Sequence, residues 1–118
     1  PHFKDLVNGD GRVRIEHDLD RAIAGADVVM DLRIQKERMN AGMLPDLREY
    51  TRRWGITAAR LARADRRALL MHPGPMNQGI EISPDVAYGE HSVISEQVTN
   101  GVAVRMAILY LLLAGTPT

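Results

Sequence analysis

The sequence predicts an α/β fold, a three-layer sandwich around a parallel sheet, and three observations carry that reading. Two apolar runs, residues 26–33 and 68–71, are short and read as buried parallel strands, the first of them β-branched. A strand pattern, a helical pattern and a second strand follow one another over residues 12–33, which is a βαβ unit. The second apolar run leads into Met71-His72-Pro73-Gly74-Pro75-Met76-Asn77-Gln78-Gly79, where two prolines forbid helix or central strand. Loops at the carboxyl ends of strands are where open α/β sheets place ligand chemistry, so this loop is the first candidate site.

The elements follow in order. Asn8-Gly9-Asp10-Gly11 is a turn signal, and Arg12-Val13-Arg14-Ile15-Glu16 alternates as a half-buried strand would. Asp18 can cap a helix from Leu19 to Ala24 that stops at Gly25. Asp31 interrupts the strand that follows, and a lone carboxylate there needs a partner or an exit to solvent. Residues 33–40 are helical in composition. Pro45 opens a helix running to Trp54 and ended by Gly55, and Thr57 caps a shorter one through Arg63. Beyond the loop, Ile80-Glu81-Ile82 is short and mixed, and Ser83-Pro84-Asp85 is a turn. Residues 93–113 read as one helix, weakened at Asn100-Gly101, with Val102, Met106, Leu109 and Leu113 as its core stripe.

Composition excludes several classes. At 118 residues there is room for one domain. Lys plus Arg balances Asp plus Glu at 15 each, against a dedicated nucleic-acid or anionic-membrane surface. The arginines at 52, 53, 60, 63, 66 and 67 then read as a solvated face. With no cysteine, disulfide and thiolate chemistry are excluded and the compartment reads as cytosolic. The longest apolar stretch, residues 106–114, is too short to span a bilayer. No secretory signal pattern stands at the start, and an opening at Pro1 without Met reads as a piece of something longer.

The loop is chemically distinctive. Pro73 and Pro75 lack N–H groups, so the turn offers carbonyl oxygens with few donors. It is a poor phosphate cradle and suits a ligand that donates, such as an amine or a carbamoyl NH2. Gly74 permits close approach to the backbone, and a cis Gly74–Pro75 bond is possible. His72 reads either as an acid or base or as a hydrogen-bonded anchor of the loop. Arg33 and Gln35 leave the first run at alternate positions, and an arginine fork beside an amide suits the carboxylate of an amino acid. A surface ion pair with Glu37 or Asp31 is the alternative for Arg33. Arg105 is expected to pair with a carboxylate such as Glu96, or with another chain. His2, His17 and His91 form no zinc spacing, and no metal or organic cofactor is called for.

Four segments together are specific. Asp27-Val28-Val29-Met30, Leu32-Arg33-Ile34-Gln35-Lys36-Glu37-Arg38-Met39, His72-Pro73-Gly74-Pro75-Met76-Asn77 and Glu96-Gln97-Val98-Thr99-Asn100-Gly101-Val102-Ala103-Val104-Arg105 resemble, in order and spacing, the catalytic chain of the aspartate carbamoyltransferase family. The resemblance runs from about Arg12 onward and corresponds to the C-terminal part of the aspartate-binding domain, with a Rossmann-like fold left incomplete. The carbamoyl phosphate-binding domain and its Ser-Thr-Arg-Thr loop are absent.

The resemblance implies that Arg33 and Gln35 bind L-aspartate and that Gly74 and Pro75 meet carbamoyl phosphate, with His72 and Pro73 supporting the loop. It implies attack of the aspartate amine on the carbamoyl carbon with loss of phosphate, in pyrimidine biosynthesis. It also implies a cytoplasmic homotrimer, with a regulatory chain or a dihydroorotase as possible partners. Two positions depart from the family pattern: Gln78 stands where arginine is common, and Asp31 where the strand is usually apolar. Ornithine carbamoyltransferase is the sibling alternative, disfavoured by Pro73-Gly74 in place of a His-Cys-Leu-Pro loop. A non-catalytic assembly module is the alternative from another class, and a basic nucleic-acid patch over residues 52–67 the third.

Overall fold

The computed structural model describes residues 13–34 and 46–114. Helix α1 (Leu19–Ile23) begins where Asp18 accepts the backbone N–H of Arg21, as its capping chemistry predicts. Strand β1 (Val28–Met30) pairs in parallel with β2 (Leu69–Met71), in the register Val28 to Leu69 and Met30 to Met71. The connection between them carries α2 (Leu47–Trp54) and α3 (Ala58–Leu61), capped by the side chains of Asp46 and Thr57. Pro45, the helical pattern of residues 35–40 and Gln35 itself lie outside the described residues.

Three corrections follow from packing. Residues 13–16 form no strand, and Val13 and Ile15 are exposed, because the pattern has no neighbouring strand among the described residues to bond with. The first strand is shorter than the pattern and buried on one face only: Val29 is buried while Val28 and Met30 are about half exposed. Ser83-Pro84-Asp85 is not an open turn but the start of α4 (Pro84–Ala87), with proline pre-set for a first helical position.

The core gathers Ile23, Val29, Ile56, Leu61, Leu70, Ile82, Val86, Ala87 and Ile94. Leu70 and Ile82 have no solvent exposure, each contributing about 2 kcal/mol of apolar burial. Gly55 closes α2 at a point where no side chain fits. A Cβ there would lie 2.6 Å from the carbonyl oxygen of Thr51. The chain then bonds sideways, with Ile56 donating to the Glu81 carbonyl and Ser83 donating to that of Ile56. On the other flank of β2, Leu70 donates to His91 and accepts from Val93, so residues 91–93 extend the sheet before the last helix.

That helix, α5 (Ile94–Leu113), is unbroken at Asn100-Gly101. Its expected core stripe is not buried: Val102, Met106, Leu109 and Leu113 are 53–81% exposed. Ile94 alone on the helix joins the core, and 20 residues at about 1.5 Å each carry the rest away from it. Apolar residues surround the helix, a composition that elsewhere marks complete burial. Nor does Arg105 pair with Glu96 among the described residues; its guanidinium lies back along the helix toward Gly101.

Candidate active site

The loop after β2 is held from inside. The His72 ring has no solvent exposure. Its Nδ1 accepts the backbone N–H of Gly74 at 2.9 Å, while the His72 N–H donates to the Gln97 side chain at 3.0 Å. With Nδ1 an acceptor, the ring proton sits on Nε2, which faces Glu81 Oε1 at 3.5 Å. The same carboxylate oxygen accepts the N–H of Asn77 in a short hydrogen bond. Pro73 and Pro75 have no donor to give, and the N–H groups of His72, Gly74 and Asn77 are all turned inward. Gly74 adopts a left-handed φ of +68° and is joined to Pro75 by a cis bond.

Asn77 also reaches the other candidate segment, its side-chain amide lying 3.5 Å from the carbonyl of Ile34. This brings the loop beside the residue that follows Arg33. Arg33 is half-buried, between the exposed Leu32 and the buried Ile34. Gln35, its expected companion, lies outside the described residues. The structure thus places Arg33, His72, Pro73, Gly74 and Pro75 in one region at the carboxyl ends of the two strands.

Three residues of this region escaped the sequence reading as site residues. Glu81 is fully buried between two isoleucines, with Oε2 lacking a hydrogen-bond partner among the described residues. Its signal was present, a carboxylate inside an Ile-x-Ile segment. Asp31 had been noted but not placed. Its backbone N–H bonds to the Met71 carbonyl at 3.0 Å, which extends the parallel register by one residue and sets it beside His72. Asp31 Oδ1 accepts the N–H of Leu32 and Oδ2 is buried without a partner. Burial pushes this carboxyl from 3.8 up to about 7, the Leu32 bond opposes the rise, and the Glu81 charge adds to it. Tyr50, reaching in from α2, is raised by burial and then by Asp31 and Glu81, so its phenol stays protonated at neutral pH.

The other polar signals resolve structurally. Gln78 donates to the Tyr88 hydroxyl at 2.6 Å. Arg60, from the basic stretch, donates to the carbonyls of Gly55 and Arg52 at 2.7 Å each and pairs with Asp20, so it binds the end of α2 to α1. No helix among the described residues is long and apolar enough to cross a membrane. Among those residues no group of three His, Cys, Asp or Glu could hold a metal ion.

Comparison with known proteins meets this geometry. The model of the Asp/Orn binding domain of aspartate/ornithine carbamoyltransferase matches residues 3–112. The aspartate carbamoyltransferase catalytic subunit of Chloroflexus aggregans is 66% identical over 98 residues, covering 83% of this chain and 32% of that protein. The chain thus spans about a third of the length of the relatives it matches. Among solved structures, ornithine carbamoyltransferase from Pyrococcus furiosus superposes with a TM-score of 0.74 at 25% identity, over 86% of this chain and 32% of the other. Aspartate transcarbamoylase from Trypanosoma cruzi, in complex with N-(phosphonacetyl)-L-aspartic acid, gives 0.64 at 33% identity, over 77% of this chain and 27% of the other.

Proposed function

Because this chain belongs to the aspartate/ornithine carbamoyltransferase family, within its Asp/Orn binding domain, we propose that it forms part of the amino-acid site of an aspartate carbamoyltransferase. The reaction is transfer of the carbamoyl group of carbamoyl phosphate to the α-amino group of L-aspartate, giving N-carbamoyl-L-aspartate and phosphate, in pyrimidine biosynthesis. The observation that carries this reading is the closeness of the Arg33 segment to the donor-poor loop through Asn77 and Ile34.

Arg33, with Gln35 beside it, binds the side-chain carboxylate of aspartate. Carbonyl oxygens around Gly74 and Pro75 accept the carbamoyl NH2, with His72 and Pro73 fixing their direction. The neutral amine then attacks the carbamoyl carbon, the carbon–nitrogen bond forms, and phosphate leaves with the electrons of the broken carbon–oxygen bond and takes up the proton that the nitrogen gives up. These residues work by holding two reactants in attack geometry, the largest lever available to a reaction without a covalent intermediate. Residues 1–118 act as the C-terminal portion of the aspartate-binding domain. The phosphate-binding groups come from the remainder of a chain of the relatives' length, assembled as a cytoplasmic homotrimer.

The test is a graft of residues 1–118 into the matching third of the Chloroflexus aggregans subunit, assayed with L-aspartate and with L-ornithine. Carbamoyl-aspartate formation supports the reading. Exclusive use of ornithine replaces it with the sibling activity, which the buried Asp31 and Glu81 carboxyls beside the site would then serve. A folded graft that turns over neither amino acid points to an assembly module.

A further inference from the structure

Pro73 and Pro75 are exposed, yet both ends of the segment they belong to meet one buried side chain. Glu81 has no solvent exposure. Its Oε1 accepts the backbone N–H of Asn77 and faces His72 Nε2 at 3.5 Å. Between those two points lie Pro73, Gly74, Pro75 and Met76, and the Gly74 N–H is itself taken up by His72 Nδ1. Glu81 is in turn fixed through its backbone. Ile56, following Gly55 at the end of α2, donates to its carbonyl at 2.7 Å, and Ser83 donates to that of Ile56 at 3.0 Å. The loop is thus tied to the core through a single carboxyl group. Burying that group between Ile80 and Ile82, with Oε2 unpartnered among the described residues, costs stability that an apolar side chain there would not.

We propose that Glu81 is a positioning residue for the carbamoyl group, setting the direction of the backbone around Gly74 and Pro75 through His72 and Asn77. This rests on the assignment of that backbone to the carbamoyl NH2. Being fully buried, Glu81 touches neither substrate and acts only through its two neighbours. A carbonyl selects an NH2 by the distance and angle at which the donor meets it, and the bond weakens steeply off line. A loop released at Asn77 would still admit a carbamoyl donor. It would lose its preference for NH2 over a group of similar size that has no proton to donate.

Acetyl phosphate is the probe, since it is carbamoyl phosphate with a methyl group in place of the NH2. The readout is the ratio of its inhibition constant, measured against carbamoyl phosphate in the grafted subunit, to the KM for carbamoyl phosphate. A loss of folded protein leaves such a ratio unmoved. Glu81→Met, which has no oxygen to accept the Asn77 N–H, is expected to lower the ratio about fivefold through the KM, with inhibition by acetyl phosphate little changed. Glu81→Gln keeps one oxygen for Asn77 and is expected to hold the ratio close to the parent value. An unchanged ratio in Glu81→Met, or an equal loss in Glu81→Gln, overturns the inference while carbamoyl-aspartate formation leaves the reaction assignment standing. A parent that forms the product yet binds both phosphates equally defeats the assignment of the loop to the NH2 instead. Glu81→Leu serves the same purpose should Glu81→Met not fold. In the 118-residue chain the Asn77 amide is expected to exchange slowly with solvent, and exchange at the unprotected rate would overturn the inference without any variant.

Discussion

Gly74 gives its backbone N–H to the buried Nδ1 of His72, two residues earlier in the chain. That bond closes the loop on itself and engages one of its few backbone donors. His72→Ala removes the acceptor and empties a fully buried ring site, so it is expected to lower folding stability by about 3 kcal/mol. Chemical denaturation of the two proteins side by side checks this, and a change below 1 kcal/mol would mean the ring does not hold the loop.

Asp31 makes folding depend on pH. Its carboxyl is raised in the folded chain from 3.8 to about 7. Across that window the folded chain keeps a proton that the unfolded chain has released, so stability is greatest at the acid end, falls as pH rises, and levels off above about 7. Partial solvation of the side chain limits the effect to about 2 kcal/mol. Asp31→Asn is expected to flatten this component in denaturation midpoints measured from pH 4 to pH 8.

Gly55 is fixed by sterics, because a Cβ would sit 2.6 Å from one backbone carbonyl oxygen and 3.0 Å from another. Neither atom can yield as a flexible side chain would. Gly55→Ala is expected to cost about 2 kcal/mol or more, with the melting temperature as readout.

The last helix leaves Ile108, Leu109, Leu111, Leu112 and Leu113 between 49% and 81% exposed. A surface of this kind promotes association of the 118-residue chain. Sedimentation is expected to give a weight-average mass that rises with protein concentration, and Leu109→Lys with Leu112→Glu to reduce that rise without lowering the melting temperature.

Much of this was legible in the sequence because local chemistry decides it. Asp18 and Thr57 cap helices wherever their neighbours fold, Gly55 ends one, and two prolines make a donor-poor turn in any context. The parts that were not legible depend on what lies alongside. Val13 and Ile15 alternate correctly for a strand, yet alternation cannot supply the neighbour a strand must bond to. Val102 and Leu113 repeat at helical spacing, yet spacing does not say whether anything covers them. Glu81 looked like one charge in a short mixed segment until Ile56 and Ser83 fixed its backbone and His72 met its side chain. The burial of Asp31 likewise emerges only from the register that sets it beside His72.

The central claim is that Arg33 receives the carboxylate of the amino-acid substrate. Steady-state kinetics of Arg33→Ala in the grafted subunit test it most directly. Loss of a charge-assisted pair of about 2–3 kcal/mol predicts a fall of roughly 30- to 150-fold in kcat/KM for aspartate, with the KM for carbamoyl phosphate changed less than threefold. Equal losses for both substrates would contradict the assignment.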